Sequence, residues 1–431
     1  MKTLIRGIGQ LLTMAGPDEP RRGKWMGSLG LIRGGALLIE EGVVLAAGRE
    51  ESVLRAEGAA QARSVDAGGR VVSPGFVDSH SHALFAGPRL ADFEARSSGR
   101  SYEQIAAAGG GILSSVDGVR SGVENTLADL LAARAEKFLA CGTTTLEVKS
   151  GYGLELSSEL KMLRALKKAA GRTPLDLVPT FLGAHALPAE MAGRRDEYVE
   201  RVVGEMLPTV ARENLARFAD VFCDEGYFTP GQARRILESA SRAGFGLKIH
   251  AEQLSRTGAS ALAAGLGAVS VDHLDHASDA DIEALLSGPT VAALVPGSNY
   301  FLGAAYPPAR KLIGRGAAVA LATDFNPGTC PCWDMRQIMS IACTQMKMTP
   351  AETWVAATIN GACALGLQKT RGSLEPGKTA DAVCWDAEDY REVPYYFGGS
   401  SVGWTMKAGA FVSGKTPVKA GPAHENTALR S

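Results

Sequence analysis

The sequence lacks the features that mark membrane, secreted and nucleic-acid-binding proteins. It has no apolar run of about 18 residues, the length needed to span a membrane, and its N-terminus lacks the charged and then apolar pattern of a secretion signal. Its 45 basic and 46 acidic side chains give a formal net charge of −1, and no long block of one sign occurs. Nucleic acid and anionic membranes are therefore not expected as partners. We expect a cytoplasmic protein that acts on a small molecule.

Cysteine is also scarce. The seven cysteines are an odd number in 431 residues, and they are scattered between Cys141 and Cys384, which argues against a disulfide framework and suits a reducing compartment. The group Cys330-Pro331-Cys332 is too small for a structural zinc site. Because a chain of this length exceeds what one hydrophobic core usually fills, we expect one large domain and a smaller one.

Histidine is rare, but its placement is regular. Six of the seven histidines stand at or near the ends of short apolar runs, and only His424 lies in a polar tail. Ordinary surface histidines would not show this placement. The six are His80, His82, His185, His250, His273 and His276.

The stretch 73–82 contains the clearest chemical signal. Its apolar and β-branched residues around Phe76-Val77 predict a buried strand, which the chain enters through Pro74-Gly75. Side chains two residues apart on a strand point to the same side, so His80 and His82 could both bind one divalent ion. Since an isolated pair of this kind is more often structural than metal-binding, the assignment needs support from the rest of the chain.

The two ends of the chain predict short strands separated by glycine turns, with no long amphipathic helix between them. These strands lie within residues 4–8, 36–48 and 64–67 at one end and within 372–385 and 405–412 at the other. We expect both ends to pair into one small β-sandwich domain made of residues 1–72 and 371–431.

Residues 73–370 show a different pattern, in which short apolar runs alternate with helical stretches, as in a parallel sheet. The predicted strands are 75–78, 144–148, 175–182, 218–222, 246–250, 268–273, 290–295 and 317–324. Eight such β/α units favour a TIM-like (β/α)8 barrel, whose active site lies at the carboxyl ends of its strands. A doubly wound open sheet is the alternative, but no G-x-G-x-x-G motif follows the first strand.

In such a barrel the histidines and one aspartate meet at a single mouth. His80 and His82 end the first strand, His250 ends the fifth and Asp324 ends the eighth. Three or four nitrogen or carboxylate ligands, with one position open for water, define a catalytic metal site. We therefore predict His80, His82, His250 and Asp324 as ligands of one divalent metal ion, either zinc or iron.

Three residues are candidates for proton transfer beside this ion. Glu252 is two residues beyond His250 and is expected on the same face, His273 ends the sixth strand, and Asp324 is itself a carboxylate at the mouth. The sequence leaves open which of them acts as base and which as acid.

Motifs along nearly the whole chain are similar to those of the amidohydrolase superfamily. The most specific is Lys149-Ser150-Gly151-Tyr152-Gly153, which resembles that of members acting in histidine degradation. The other matching segments, beyond the opening around the paired histidines, are residues 85–89, 109–112, 181–188, 250–253, 271–274 and 324–329.

This resemblance implies a hydrolase that opens a five-membered imidazolone ring carrying a propionate. Arg89 would bind the carboxylate bidentately, with Tyr102 or Tyr152 beside it, and His273 would orient the nucleophile or stabilise the oxyanion. The resemblance also implies a homodimer and a further set of substrate-binding residues, namely His185, Gln253, Asn326, Gly328 and Thr329.

Three alternatives stay open at this point. Some amidohydrolases hold two metals on a carboxylated lysine, but that lysine usually follows the fourth strand, whereas Lys149 follows the second, and we favour a single ion. A deaminase of cyclic amidines or guanine would share the metal ligands without needing Arg89. A barrel protein that only binds would have no reason to keep the ligand set.

Overall fold

The computed structural model describes residues 2–100, 104–105, 109–399 and 401–414. Within these ranges the strands form two eight-stranded sheets, one built from both ends of the chain and one from its middle. The strands of the first, which we call the outer sheet, are β1 Lys2–Leu12, β2 Leu31–Glu40, β3 Val43–Arg49, β4 Arg63–Asp66, β5 Val71–Pro74, β14 Ala382–Trp385, β15 Val402–Lys407 and β16 Ala410–Gly414.

The outer sheet joins the two ends of the chain through one pair of strands. Its order is β16-β15-β14-β5-β1-β2-β3, with β4 beside β1, and β14 pairs antiparallel with β5. The prediction that both ends build one β unit is therefore confirmed. The chain leaves this sheet after β5 and enters the second sheet at Phe76; the division into domains at residues 72 and 371 stays a prediction.

The second sheet is a nearly closed barrel of parallel strands in sequential order, which confirms the predicted (β/α)8 architecture. Each of the eight predicted strands is present, with ends that differ by a few residues. The strands are β6 Phe76–Asp78, β7 Thr143–Lys149, β8 Asp176–Ala184, β9 Phe218–Cys223, β10 Gly246–Ala251, β11 Ser270–His273, β12 Val291–Leu294 and β13 Val319–Leu321.

Helices surround the barrel, and no helix in the described ranges is long and apolar enough to cross a membrane. Several begin at a capping box, in which a hydroxyl residue and the acid or amide three residues later satisfy each other's backbone N–H groups; Thr229 and Gln232 do this for α8. The helices are α1 Glu50–Leu54, α2 Leu90–Ser97, α3 Ile112–Ser121, α4 Glu124–Ala140, α5 Leu156–Ala170, α6 Arg195–Arg201, α7 Leu207–Arg212, α8 Pro230–Arg242, α9 Ala259–Gly265, α10 Asp279–Leu286, α11 Pro296–Leu302, α12 Ala309–Arg315, α13 Met335–Gln345, α14 Pro350–Ala357, α15 Ile359–Cys363 and α16 Glu392–Tyr395.

Three aromatic rings connect the outer sheet to the barrel. Trp385 of β14 lies 5.1 Å from the ring of Phe76 in β6 and 5.5 Å from that of Trp354 in α14, and all three are fully buried. The indole N–H of Trp385 donates to Ser73 Oγ at 2.8 Å. This cluster supports the first barrel strand immediately before the predicted metal ligands.

We predict that Trp385→Ala lowers the free energy of unfolding by about 3–5 kcal/mol, because it removes a large buried ring and leaves a cavity at the junction. Urea denaturation followed by circular dichroism measures the loss. Trp25→Ala is the matched control, since that indole is 59% exposed and its removal should change stability by less than about 0.5 kcal/mol. Equal losses in the two variants would contradict the role assigned to the junction.

Candidate metal centre and active site

Backbone pairing beyond the ends of two strands brings the predicted ligands together. Strand β6 ends at Asp78, and the following segment stays extended because His80 C=O accepts from the N–H of Asp324 and His82 N–H donates to the C=O of Phe325, both at 2.9 Å. A bridge between Ser81 and Phe325 lies between these bonds. These bonds hold residues 80–82, which follow the first barrel strand, beside residues 324 and 325, which follow the last.

The four predicted ligands converge on one point. Asp324 Oδ1 lies 3.6 Å from His80 Nε2 and 3.5 Å from His82 Nε2. The Nε2 atoms of His82 and His250 are 3.3 Å apart. One ring nitrogen from each of the three histidines lies within 4.8 Å of the others, and all three side chains are buried.

Two carboxylates fix the orientation of the ligand imidazoles. Asp272 Oδ2 lies 2.6 Å from His80 Nδ1, and Asp220 Oδ1 lies 3.1 Å from His250 Nδ1. Because an ionised carboxylate only accepts hydrogen bonds, both Nδ1 atoms carry the proton and both Nε2 atoms present a lone pair. His80 Nε2 is buried and has no hydrogen-bond partner among the described residues, as expected of a metal-binding nitrogen.

The electrostatics of the cluster also fit a divalent cation. Burial lowers the pKa of His80, His82 and His250 well below the usual value, so these rings are neutral, the form that binds metals. Burial raises the pKa of Asp324 to about 8, so a nearby positive charge is needed to keep it ionised at neutral pH. The residues therefore fit a divalent metal ion.

Beneath the ligands lies a buried layer of charge, the lysine layer, made of Glu147, Lys149, Asp220, Lys248 and Asp272. Lys149 Nζ lies 2.7 Å from Asp220 and 3.6 Å from Asp272, so one ammonium contacts both carboxylates that hold ligand histidines. Burial alone would raise the pKa of Asp272, but Lys248 and Lys149 lower it overall.

Of this layer, the sequence singled out only Lys149, as a possible carboxylated lysine between two metal ions. Lys248 Nζ donates to Ser79 C=O at 3.0 Å and lies 3.6 Å from Glu147. Each member of the layer is a charged residue inside an apolar barrel strand. That signal was visible in the sequence, but the pairing between strands was not.

A cavity of about 610 Å³ opens above the ligands. It contains most of the predicted substrate-binding residues, whereas Tyr102 lies outside the described residues. The predicted residues that line the cavity are His82, Arg89, Tyr152, His185, His250, Gln253, His273, Asp324, Asn326 and Thr329.

Two further histidines stand beside the ligands. The ring of His185 stacks on His82 at 4.9 Å, and its Nδ1 is 3.0 Å from Gly151 C=O. The ring of His273 is 5.3 Å from that of His80 and 5.2 Å from that of His250. Burial lowers the pKa of both residues to about 4, so both are neutral near pH 7.

The expected position of Glu252 on the face of His250 is wrong. Strand β10 ends at Ala251, and Glu252 has a φ of +52°, so the alternation of a strand does not extend to it. Its carboxylate accepts from the N–H groups of Gly258, Ala259 and Ser260 and from the Ser260 hydroxyl. Glu252 therefore stabilises the start of α9 instead of facing the cavity.

Asn326 lines the cavity, but its amide is engaged within its own loop. Its Oδ1 accepts from the N–H groups of Gly328 at 2.9 Å and Thr329 at 2.7 Å. Its Nδ2 donates to Asp324 C=O and to Thr329 Oγ1, both at 2.7 Å. These hydrogen bonds hold the 324–329 loop in one conformation, and its first residue, Asp324, is a predicted metal ligand.

The cavity is also defined by residues that support the segment after His82. Arg134 donates to the C=O groups of Ala83 at 2.9 Å and Phe85 at 2.7 Å, and its guanidinium lies 3.6 Å over the Phe85 ring. These contacts hold the stretch that leads from the ligand pair to Arg89.

Residues 71–416 match the model of the amidohydrolase family. The solved structures with a similar fold include the zinc complex of atrazine chlorohydrolase from Arthrobacter aurescens TC1, at a TM-score of 0.69 and 16% identity over 97% of each chain. Guanine deaminase of E. coli has a TM-score of 0.66 and 18% identity, and the match covers 96% of this chain and 100% of the enzyme. The chain belongs to the amidohydrolase family.

Relatives of much higher identity define a narrower group. The imidazolonepropionase of Symbiobacterium thermophilum is 48% identical over 95% of this chain and 96% of its own length. The imidazolonepropionase of Geobacillus kaustophilus is 43% identical over 95% and 97% of the two chains. Within the amidohydrolases, the chain therefore belongs with the imidazolonepropionases.

We predict that His250→Ala weakens binding of a divalent metal by more than the about 10–100-fold typical of groups that only orient a ligand. The substitution removes one of three converging nitrogen lone pairs. Elemental analysis of the purified protein and competition with a chelating dye measure the change. His276→Ala is the control because this histidine is exposed; equal metal retention in both variants would exclude His250 as a ligand.

We predict that Lys149→Met lowers the free energy of unfolding by about 3–5 kcal/mol, since it leaves buried carboxylates without their ammonium partner. Denaturant titration measures the loss. Lys168→Met serves as the control: this lysine pairs with Glu124 on the surface, where an ion pair contributes at most about 1 kcal/mol. Similar stabilities for the two variants would show that the lysine layer does not hold the barrel interior together.

Proposed function

We propose that the protein hydrolyses 4-imidazolone-5-propanoate to N-formimidoyl-L-glutamate, the ring opening carried out by imidazolonepropionase in histidine degradation. The observation that carries the proposal is that three of the four predicted metal ligands, His82, His250 and Asp324, line the same cavity as Arg89. The substrate needs both: a hydrolytic centre for the ring amide and a fixed cation for the propionate. The high identity to named imidazolonepropionases supports the same reaction.

Arg89 and Tyr152 suit the carboxylate end of this substrate. Arginine presents planar N–H pairs that match a carboxylate bidentately. Tyr152 lines the same cavity, and burial raises its pKa, so its phenol keeps the proton that it can donate. The nearby Arg89 guanidinium opposes this rise in the pKa of Tyr152, so the two side chains lie close together on the cavity wall.

His80, His82, His250 and Asp324 would hold the metal. A divalent ion held by these residues would supply a hydroxide nucleophile near neutral pH and would polarise the ring carbonyl. His185, stacked on His82, contacts the flat imidazolone ring, and Gln253 contacts a polar edge. Because these groups are fixed by the barrel, the ring carbonyl is held at the ligand cluster when the propionate is bound.

His273 and Asp324 carry out the proton transfers in this proposal. Hydrolysis adds hydroxide to the ring carbonyl carbon, breaks the bond from that carbon to the ring nitrogen and places a proton on the departing nitrogen. His273 is neutral and its Nδ1 has no hydrogen-bond partner, so it can take the water proton or donate to the oxyanion. Asp324, whose Oδ1 lies 3.6 Å from His80 Nε2 and 3.5 Å from His82 Nε2, can carry the proton to the nitrogen. Glu252 has no part in these steps because α9 engages its carboxylate.

We propose a single ion, zinc or iron. Imidazole and carboxylate ligands suit both metals. Two buried ammonium groups, Lys149 and Lys248, already pair with the carboxylates of the lysine layer. Each of those carboxylates therefore already has a positively charged partner without a second metal ion.

We also propose that the protein forms a homodimer. The described surface exposes consecutive aromatic side chains at Tyr395, Tyr396 and Phe397, which are 77%, 53% and 57% accessible. Exposed aromatic patches of this kind are typical of association surfaces. Analytical ultracentrifugation measures the mass in solution, and a monomer at micromolar concentration would contradict the proposal.

The test of the proposed function is ring opening followed by ultraviolet absorbance with wild type and Arg89→Ala. We expect the variant to raise KM by about 10- to 100-fold with little change in kcat, because the carboxylate is remote from the bond that breaks and is bound equally before and during reaction. Arg164→Ala, which removes an exposed guanidinium paired with Glu213, is the control. An unchanged KM in Arg89→Ala would remove Arg89 from the substrate site.

The same preparation distinguishes the rival activities. A purine or cyclic-amidine deaminase would release ammonia from those substrates and would not depend on Arg89. A barrel that only binds would contain no divalent metal by elemental analysis. Either result, together with no ring opening by wild type, would contradict the proposed function.

A further inference from the structure

We propose that Ser115 and Gly328 are positioning residues that hold the Arg89 guanidinium in one orientation and so make the site selective for a substrate with a carboxylate. The inference rests on the proposed function, in which Arg89 binds the propionate. Neither residue reacts; each acts through Arg89.

Ser115 fixes one side of the guanidinium. Arg89 Nε donates to Ser115 Oγ at 2.9 Å, and Ser115 is only 6% exposed on α3. The start of α3 is itself held, because Gly111 N–H donates to Asp92 Oδ2 at 2.8 Å. Since Nε is engaged, Arg89 presents the paired Nη groups at its end to a ligand.

Gly328 makes room for the guanidinium. A Cβ at this position would lie 2.3 Å from Arg89 Nη1 and 2.8 Å from its Cζ, distances that atoms cannot adopt. The Gly328 peptide is also fixed, because its C=O accepts from Arg96 Nη1 at 3.1 Å. A side chain at 328 would therefore have to displace Arg89.

The 324–329 loop also connects Gly328, which lies against the Arg89 guanidinium, to the predicted metal ligand Asp324. Asn326 binds the N–H of Gly328 through Oδ1 and the C=O of Asp324 through Nδ2. The separation between the carboxylate anchor and the ligand cluster is therefore set by one internally bonded loop. An arginine that is ordered before binding also avoids the entropic cost of ordering a flexible side chain when the substrate arrives.

The experiment compares Ser115→Ala and Gly328→Ala with wild type and with Ser114→Ala as the matched control. Ser114 is the neighbouring residue, is exposed, and its hydroxyl donates to Gly111 C=O rather than contacting Arg89. KM and kcat are measured with the propionate substrate and with its neutral propionamide analogue. Calorimetry measures binding of the product N-formimidoyl-L-glutamate.

We expect each test variant to raise KM for the propionate substrate about tenfold, the size of one charge-assisted hydrogen bond, with kcat within twofold of wild type. Product affinity should fall by a similar factor. KM for the neutral analogue should be unchanged, and Ser114→Ala should match wild type throughout. Metal content and melting temperature establish that each variant is folded. If one of the two test variants does not fold, the other is sufficient to test the prediction.

Two results would overturn the inference. Unchanged KM and product affinity would show that Ser115 and Gly328 do not position Arg89 for binding. An equal rise in KM for the propionate and for its neutral analogue would show a general structural effect. If wild type itself fails to open the ring, the proposed function fails and the inference with it. If wild type is active and the variants behave like it, only the inference fails.

Discussion

The contact between Lys149 and the carboxylates Asp220 and Asp272 is the interaction on which the candidate site depends. Each carboxylate orients one ligand histidine, His250 or His80, and both share one buried ammonium. Unpaired charges of this kind would be expensive to bury. Lys149 and Lys248 lower the pKa of both carboxylates and so favour the ionised form against the effect of burial. An ionised carboxylate in turn leaves the outer nitrogen of each imidazole free to bind a metal.

The 324–329 loop extends this organisation from the metal ligands to the substrate. Its first residue is the predicted carboxylate ligand, its asparagine bonds the loop to itself, and its glycine lies against the Arg89 guanidinium. One short segment after the last barrel strand therefore connects a predicted metal ligand to the proposed carboxylate anchor. Barrels of this type place such segments at the carboxyl ends of their strands, where loops can vary without disturbing the core.

Sequence alone predicted the parts of the structure that follow from local pattern. Apolar β-branched runs identified all eight barrel strands, and the position of histidines at strand ends predicted the histidine cluster that the structure brings together. Glu252 was misplaced because period-two alternation ends with the strand, and one residue with positive φ redirects its side chain to a helix start. Lys248 and Asp220 were not recognised because their partners belong to other strands, so the order and register of the strands had to be known.

The pairing of β5 with β14 has a consequence for how the chain folds. Ser73 pairs with Val383, and all eight barrel strands lie between these two residues in the chain. Strand β5 therefore has β1 as a neighbour but lacks its second neighbour until β14 has been made. Contacts between such distant segments are slow to form, and the waiting edge of β5 can associate with other nascent chains in the meantime. Expression yield should therefore depend on chaperone supply more than the stability of the finished molecule would indicate.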